Sequence, residues 1–243
     1  MNQDQENAEI DEGSLFYVIK AIGVGEVGRQ AIQYMASADV RDVELIALTN
    51  DEESERIRAA IGDAEMLLIV SGTSAADAET ASVIDGIAKT MNVCTLKLQG
   101  GADGALSDAE IRNVVRDIAE TLFRANSFCI GIDFGDIRVI LDQGGRTATG
   151  SAQASGPERG RMAAELAYAD CGRPADAAGM FVIISGAHGT LRLNETKLVM
   201  STLRARVSSD AHVIYGLTCD DALGDALRVT LIATGMTSQA QQS

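Results

Sequence analysis

Apolar runs of strand length alternate with amphipathic segments along the first hundred residues. The apolar runs cover residues 16–24, 43–51, 66–72 and 93–98. Between them, apolar residues recur at helical spacing, as Ala31, Tyr34, Met35 and Ala38 do, and Gly62 stands where a helix would end. Strands that alternate with helices of this length predict a parallel sheet covered on both faces.

A strongly amphipathic helix is predicted after these segments. Ser107 and Glu110 form a capping box, and one stripe of the helix is apolar, namely Ile111, Val114, Val115, Ile118 and Leu122. From about residue 146 the pattern predicts a helix started by Pro157, a strand "GMFVIIS", a helix from near Asn194, and the strands "AHVIYGLT" and "ALRVTLIAT" as an antiparallel pair. The predicted fold class is α/β, a Rossmann-like, mostly parallel sheet linked by a central helix to a smaller α/β domain.

Composition narrows the possible ligands and the compartment. The net charge of -15 argues against nucleic acid, whose binding requires Lys and Arg to neutralise phosphates. No apolar run is long enough to span a membrane, and the acidic start has no signal-peptide pattern, so a cytoplasmic protein without membrane insertion is expected. The four cysteines lie far apart and the two histidines have no partners at ligand spacing, so we expect core-filling thiols and no metal site.

The first candidate for chemistry is the glycine turn after the first predicted strand. Gly23, Gly25 and Gly28 fit the pattern G-x-G-x-x-G, and Asp51 ends the next strand, where a ribose-binding acid could lie. The pattern is compatible with an NAD-binding site. It is equally compatible with a glycine turn that lets a helix and a strand pack closely.

The second candidate is "VSGTSAADAETAS" at residues 70–82, where a strand passes into a helix. Gly72 and Thr73 stand where a phosphate-binding loop would lie, but Asp77 and Glu79 follow them, and acids repel phosphate at such a site. Both acids also suit the first turn of a helix, where they interact favourably with its dipole. The structural role is the favoured interpretation.

The third candidate is "GIDFGDI". Asp133 and Asp136, three residues apart, could position a water molecule or hold a metal, but they are also ordinary N-cap and turn residues. From the residues alone, the capping role is favoured.

Taken in order, several segments resemble FtsZ of the tubulin/FtsZ superfamily from about residue 16 to residue 236. They are "IKAIGVGEVGRQAIQYM", "ELIALTND", "IRAAIGDAEMLLIVSG", "GIDFGDIRVIL" and "SSDAHVIYGLTCDDALGDALRVTLIATGM". The resemblance implies an N-terminal GTP-binding domain, a central helix and a C-terminal domain. It also implies that Asp133 and Asp136 match the acidic loop that completes the GTPase site of the next subunit in a protofilament.

The departures from FtsZ concern the GTP site. The glycine-rich signature loop GGGTGTG of FtsZ is replaced by "SAADAET" at residues 74–80, and Glu26, Val27 and Arg29 stand where FtsZ has glycine. Gly131 stands in place of an asparagine in the acidic loop. The strand and helix that supply guanine contacts in FtsZ are expected to be absent, as is the family's C-terminal linker and partner-binding peptide. Membrane attachment would then need another protein.

The sequence therefore predicts an FtsZ-like scaffold or cytoskeletal protein of cell division or membrane remodelling that is defective in GTP binding and hydrolysis. It would need no cofactor and would bind itself or an FtsZ-family partner through the acidic-loop face. One alternative is a divergent polymerising GTPase that uses GTP and Mg²⁺, and a less favoured one is the NAD-binding protein. The expected domains are an acidic tail (1–15), a nucleotide-binding-type domain (16–106), the central helix with the acidic loop (107–142), a C-terminal domain (143–236) and a tail (237–243).

Overall fold

The first half of the chain forms a parallel α/β sheet. The structure is a computed structural model that describes residues 17–38, 40–101, 106–123 and 130–237. The elements of this half are β1 (Ile19–Val24), α1 (Gly25–Ser37), β2 (Glu44–Leu48), α2 (Ser54–Ile61), β3 (Met66–Ser71), α3 (Ala75–Thr90) and β4 (Cys94–Gln99). All pairs are parallel, in the order β2-β1-β3-β4, which confirms the predicted sheet. We call it the first sheet.

Burial explains this strand order. Every residue of β1 and β3 is buried, so these two strands occupy the centre, whereas β2 and β4 carry exposed positions and form the edges. Gly62 ends α2 with a φ of 52°, as its position in the sequence predicted. Ser74 caps α3, because its Oγ accepts a hydrogen bond from the Asp77 N–H at 3.1 Å.

The predicted amphipathic helix is α4 (Asp108–Phe123), and it packs against both halves of the molecule. Its capping box is present, with Glu110 Oε2 accepting hydrogen bonds from the N–H and the hydroxyl of Ser107 at 2.8 and 2.6 Å. One apolar core contains residues from the first sheet, from α4 and from the second half, including Ile19, Leu96, Ile111, Ile118, Phe181 and Ile232. A short helix, α5 (Phe134–Leu141), joins the same core.

The second half forms a mixed sheet, and one predicted pairing is wrong. Its elements are β5 (Arg146–Ser155), α6 (Arg159–Asp170), β6 (Gly179–Gly186), α7 (Leu193–Arg204), β7 (His212–Cys219) and β8 (Ala226–Met236). The order is β5-β8-β6-β7, so β7 and β8 are not neighbours, although an antiparallel pair was predicted. Because β6 is buried throughout and β8 nearly so, these two strands pair with each other at the centre of the sheet. The half-exposed β7 pairs in parallel with the other side of β6. We call this the second sheet.

Two local predictions in this half also differ from the structure. Pro157 does not start α6, which begins at Arg159, because Gly156 turns the chain with a φ of 90° and its carbonyl accepts the Arg159 N–H at 3.2 Å. Strand β5 was not predicted, since its sequence "RTATGSAQAS" contains no large apolar residue. It forms an edge of the sheet, where small and polar residues suffice.

A buried ionic cluster fastens α4 to the second sheet. Asp117 is fully buried and accepts hydrogen bonds from Arg228 Nη2 at 2.8 Å and Arg228 Nε at 3.2 Å. Arg116 and Arg228 both also pair with Asp220, at 2.6 and 3.0 Å. Alternating charges therefore join one helix to two strand ends.

The remaining expectations concern the tails, the thiols and the membrane. Cys94 and Cys171 are buried and Cys219 is partly buried, whereas Cys129 and the tail residues 1–15 and 238–243 lie outside the described residues. Over the part of the chain that the structure describes, no helix has both the length and the apolar character to cross a membrane.

Candidate functional site

The predicted glycine turn is a direct passage from strand to helix. β1 ends at Val24 and α1 begins at Gly25. A Cβ atom on Gly23 would lie 2.2 Å from the Gly28 carbonyl oxygen, and one on Gly28 would lie 2.3 Å from the Val70 carbonyl oxygen. Both glycines are therefore needed for the close packing of β1, α1 and β3, which is the second of the two interpretations that the sequence allowed.

Gly25 faces a carboxylate instead of open space. Its φ is +68°, and a Cβ atom there would lie 2.0 Å from Asp77 Oδ1. A Cβ atom on Gly72 would lie 2.5 Å from Asp77 Oδ2. The Asp77 carboxylate thus occupies the space above both glycines, where a bound group would approach the backbone. Asp77 is only 7% exposed.

Asn50 fixes this carboxylate in place. Its Nδ2 donates a hydrogen bond to Asp77 Oδ1 at 2.8 Å. The backbone carbonyl of Asn50 accepts a hydrogen bond from the Thr80 hydroxyl at 3.3 Å. Asn50 was not among the residues singled out from the sequence. Its position in the sequence could have indicated this role, because Asn50 follows β2 at the carboxyl ends of the strands, where Gly25 and Gly72 also lie.

The charge of Asp77 suits its surroundings. It lies in the first turn of α3 and beside the first residue of α1, whose N-cap residue Val24 makes no side-chain capping bond. Helix N-termini attract anions through their free N–H groups and their dipoles. A side chain of the protein therefore supplies negative charge where two helices begin.

The other predicted residues of this end point outwards. Glu26 lies in the first turn of α1 and is exposed, as are Thr73 and Asp51. Glu79 was expected in the first turn of α3, but it lies one position beyond that turn and is exposed, so only Asp77 has the predicted helix-dipole position. The structure therefore brings Gly25, Gly72 and Asp77 together and leaves the other acids at the surface.

The third candidate begins α5. Asp133 is its N-cap, with Oδ1 accepting a hydrogen bond from the Gly135 N–H at 2.7 Å, and Asp136 lies in the first turn. Both acids are exposed. The capping role favoured from the sequence therefore belongs to Asp133, in a helix that begins earlier than "IRVIL".

The acidic helix start and the Asp77 cluster lie at opposite ends of the first sheet. Phe134 packs against Tyr17, which precedes β1, with ring centroids 5.0 Å apart, and Arg138 donates to Asn92, which precedes β4, at 2.5 Å. α5 is thus at the amino ends of the strands, whereas Asp77 is at the carboxyl ends. Six-residue strands separate the two ends by about 20 Å. Across the described residues, no group of three or more His, Cys, Asp or Glu side chains is arranged to hold a metal.

The described part of the chain combines a parallel α/β sheet, a mixed four-stranded sheet and a long helix packed against both. The model for the C-terminal domain of the FtsZ family matches residues 145–237. The cell division protein FtsZ of Buchnera aphidicola subsp. Baizongia pistaciae is 22% identical, with 90% of this chain and 79% of that protein covered. FtsZ of Neisseria gonorrhoeae is 25% identical, with 90% and 78% covered. Both alignments exceed 300 positions, so each relative has segments without a counterpart among these 243 residues.

Solved structures agree with the sequence comparisons. The W319Y mutant of FtsZ from M. jannaschii superposes with a TM-score of 0.78 at 18% identity, covering 90% of this chain and 91% of that one. CetZ2 from Haloferax volcanii, in a GTPγS-bound protofilament, gives a TM-score of 0.62 at 13% identity, with 93% and 95% covered. The chain thus resembles the FtsZ family in the sequence of its C-terminal domain and shares its fold with the solved FtsZ and CetZ structures.

Proposed function

We propose that this chain is a cytoplasmic assembly protein of cell division or the cytoskeleton that works without bound GTP. The observation that carries the proposal is the position of Asp77, whose carboxylate lies over Gly25 and Gly72 at the start of α1. Asp77 acts as a built-in anion in the place of a nucleotide phosphate. Membrane remodelling is the second cellular role consistent with this proposal.

Electrostatics supports the absence of a nucleotide. A phosphate oxygen about 4 Å from a carboxylate is repelled by about 1 kcal/mol in bulk water and by about 4 kcal/mol near a protein surface. A triphosphate brings several such oxygens, and Glu26 is an additional exposed acid at the same end. The carboxylate also excludes a phosphate by volume, since it fills the space above both glycines.

The opposite end of the first sheet suits a partner. Asp133 and Asp136 are exposed there and match the family loop that acts on a neighbouring subunit's nucleotide. We propose that this face docks onto the nucleotide-bearing face of an FtsZ-family partner or of a second copy of the chain. Structurally similar chains include an empty FtsZ dimer from M. jannaschii and the CetZ2 protofilament, which supports self-association as the expected mode.

Calorimetric titration with GTP and Mg²⁺ tests the nucleotide proposal. We expect no heat of binding to nucleotide-stripped protein up to about 1 mM GTP, which corresponds to less than about 4 kcal/mol of affinity. Micromolar binding would overturn the proposal in favour of a divergent GTPase. An authentic FtsZ, titrated in parallel, shows that the assay detects binding.

A mixed GTPase assay tests the docking proposal. At equimolar ratio the chain should change the GTP turnover or filament length of an authentic FtsZ, and the double variant D133N/D136N should lose that effect. Asparagine caps helices as well as aspartate does, so α5 should persist. The matched control E55Q removes an exposed acid from α2 and should act like the unmodified chain. Equal activity of both variants would contradict docking through the acidic loop.

A further inference from the structure

A polar cleft lies between the two sheets, and Asp77 is not among its lining residues. Its volume is about 320 Å³, and its walls come from β4, from β5 and from the end of α6. The lining residues that can donate hydrogen bonds through their side chains are Thr73, Lys97, Gln99, Arg146, Thr147 and Thr149. Small-molecule sites favour such junctions, and this volume is at the lower end of their usual range.

The cleft is bordered by two strands that have a partner on one side only. β4 ends the first sheet and β5 ends the second. The Cys94 and Gly100 N–H groups bond towards β3, at 3.0 and 2.9 Å, so the Lys97 N–H between them points away from it. In β5 the Ser151 N–H bonds to Asp170 instead of β8, so by alternation the Thr149 N–H also points outwards. The two edges therefore offer backbone donors.

Thr149 has an unmet hydrogen bond. Its hydroxyl oxygen is buried and has no hydrogen-bond partner in the part of the chain that the structure describes. An unpartnered buried hydroxyl costs free energy, and Thr149 also lines the cleft, so a ligand that reaches this oxygen would recover part of that cost.

Two cations add charge to this wall. The Arg146 guanidinium donates only to the thioether sulfur of Met236, at 3.6 Å, a weak acceptor, and forms no ion pair among the described residues. Lys97 lies 3.6 Å from Asp85 Oδ2, an oxygen that Lys89 already binds at 2.8 Å. Among the described residues of the lining, the one acid is Asp170, and one of its carboxylate oxygens accepts a hydrogen bond from the Ser151 N–H at 2.8 Å.

The thiol in the wall does not supply a nucleophile. Burial raises the pKa of Cys171 to about 12, so it stays protonated at neutral pH. Among its described residues the cleft thus presents mainly hydrogen-bond donors and no activated thiol, which suits binding better than catalysis.

We propose that this cleft binds a small phosphate ester. A phosphate group has several acceptor oxygens, which suit the Arg146 fork and the Lys97 ammonium in this lining. The cleft volume leaves room for a further small organic group. Gly25, Gly72 and Asp77 do not line this cleft, although Thr73, the residue after Gly72, does.

Calorimetry on the full chain, with inorganic phosphate and glycerol 3-phosphate as probes, tests this site. We expect glycerol 3-phosphate to bind with a dissociation constant on the order of 1 mM or below, and R146Q to weaken it about tenfold or more. The matched control R161Q removes a half-buried arginine of α6 that does not line the cleft, and it should leave binding unchanged. If inorganic phosphate binds more tightly than glycerol 3-phosphate, the proposal of an ester ligand is contradicted and the cleft is a site for inorganic phosphate.

The variant T149V separates binding from folding. Valine has nearly the same shape, and the hydroxyl it removes has no partner, so the melting temperature should stay the same or rise. Binding of glycerol 3-phosphate should weaken severalfold. Absence of binding up to about 20 mM, or equal binding by R146Q and R161Q, would overturn the proposal. D77A should bind the probe like the unmodified chain, and loss of binding there would place the ligand at the other site.

Discussion

Substitution of Gly25 by alanine tests whether Asp77 truly occupies the space above the glycine turn. The new Cβ atom would lie 2.0 Å from Asp77 Oδ1, so the carboxylate must move by more than 1 Å and lose its 2.8 Å hydrogen bond from Asn50. A hydrogen bond to a charged group contributes about 1.5–3 kcal/mol. The φ of +68° adds about 1–2 kcal/mol for an alanine. We expect G25A to lower the free energy of unfolding by about 3–5 kcal/mol.

The steric part of this loss should vanish when the carboxylate is removed. In a D77A background, G25A should cost only the backbone strain, about 1–2 kcal/mol. The coupling free energy of the double-mutant cycle is then about 1.5–3 kcal/mol, well above the additivity error of about 0.5 kcal/mol. Urea unfolding followed by far-ultraviolet circular dichroism measures all four proteins. For a chain of this size, each kcal/mol also lowers the melting temperature by about 2–4 °C.

Gly62 provides the matched control for this cycle. It also has a positive φ, 52°, but its nearest atoms are Ala59 O and Lys20 Nζ, each 3.3 Å from the built Cβ. G62A should therefore cost the same with and without D77A. If G25A behaves in the same additive way, Asp77 does not fill the glycine cradle, and the proposed replacement of a phosphate loses its structural basis.

Three further predictions concern the second half of the chain. R228M should lower the free energy of unfolding by about 3–5 kcal/mol in urea titrations, because it leaves Asp117 buried without its main partner, and Asp117→Leu in that background should recover much of the loss. Burial alone would raise the pKa of Asp220, but Arg116 and Arg228 outweigh it and lower that pKa. The stability that this pair of arginines gives through Asp220 is fully present above the unfolded pKa near about 3.9. The urea midpoint should fall as the pH drops through the lower folded pKa, and a midpoint that does not change over that range would contradict the prediction. Because burial raises the pKa of Cys171 to about 12, iodoacetamide at pH 8 should modify it only in urea, as peptide mass spectrometry can establish.

The first sheet was predictable from the sequence because its strands are continuous apolar runs. β1 and β3 carry the pattern of fully buried parallel strands. Ser107 and Glu110 alone were enough to predict the capping box of α4. The second sheet was predicted less well. β5 lacks large apolar residues, and β7 and β8 adjoin along the chain although β6 separates them in the sheet. Sequence proximity favoured a hairpin, whereas burial decided the pairing.

The candidate site was predictable in its residues but not in its contacts. The pattern placed Asp77 at a helix start, and the structure adds its contact with Gly25 and its bond from Asn50. No periodicity relates positions 25, 50 and 77, since they follow three different strands. The ionic cluster around Asp117 was missed for the same reason, because Arg228 lies 111 residues away from it along the chain.

A carboxylate that belongs to the chain differs from a nucleotide in one respect that matters for timing. A nucleotide phosphate can be hydrolysed and exchanged, so the rate of hydrolysis limits the lifetime of an assembly that depends on it. Asp77 cannot leave the protein as a bound nucleotide can, and hydrolysis does not remove its charge. Its place beside Gly25 is fixed when the chain folds. Under the proposed function, the lifetime of any assembly built from this protein is set by the protein's abundance and by its partners. Nucleotide hydrolysis in this chain does not limit that lifetime.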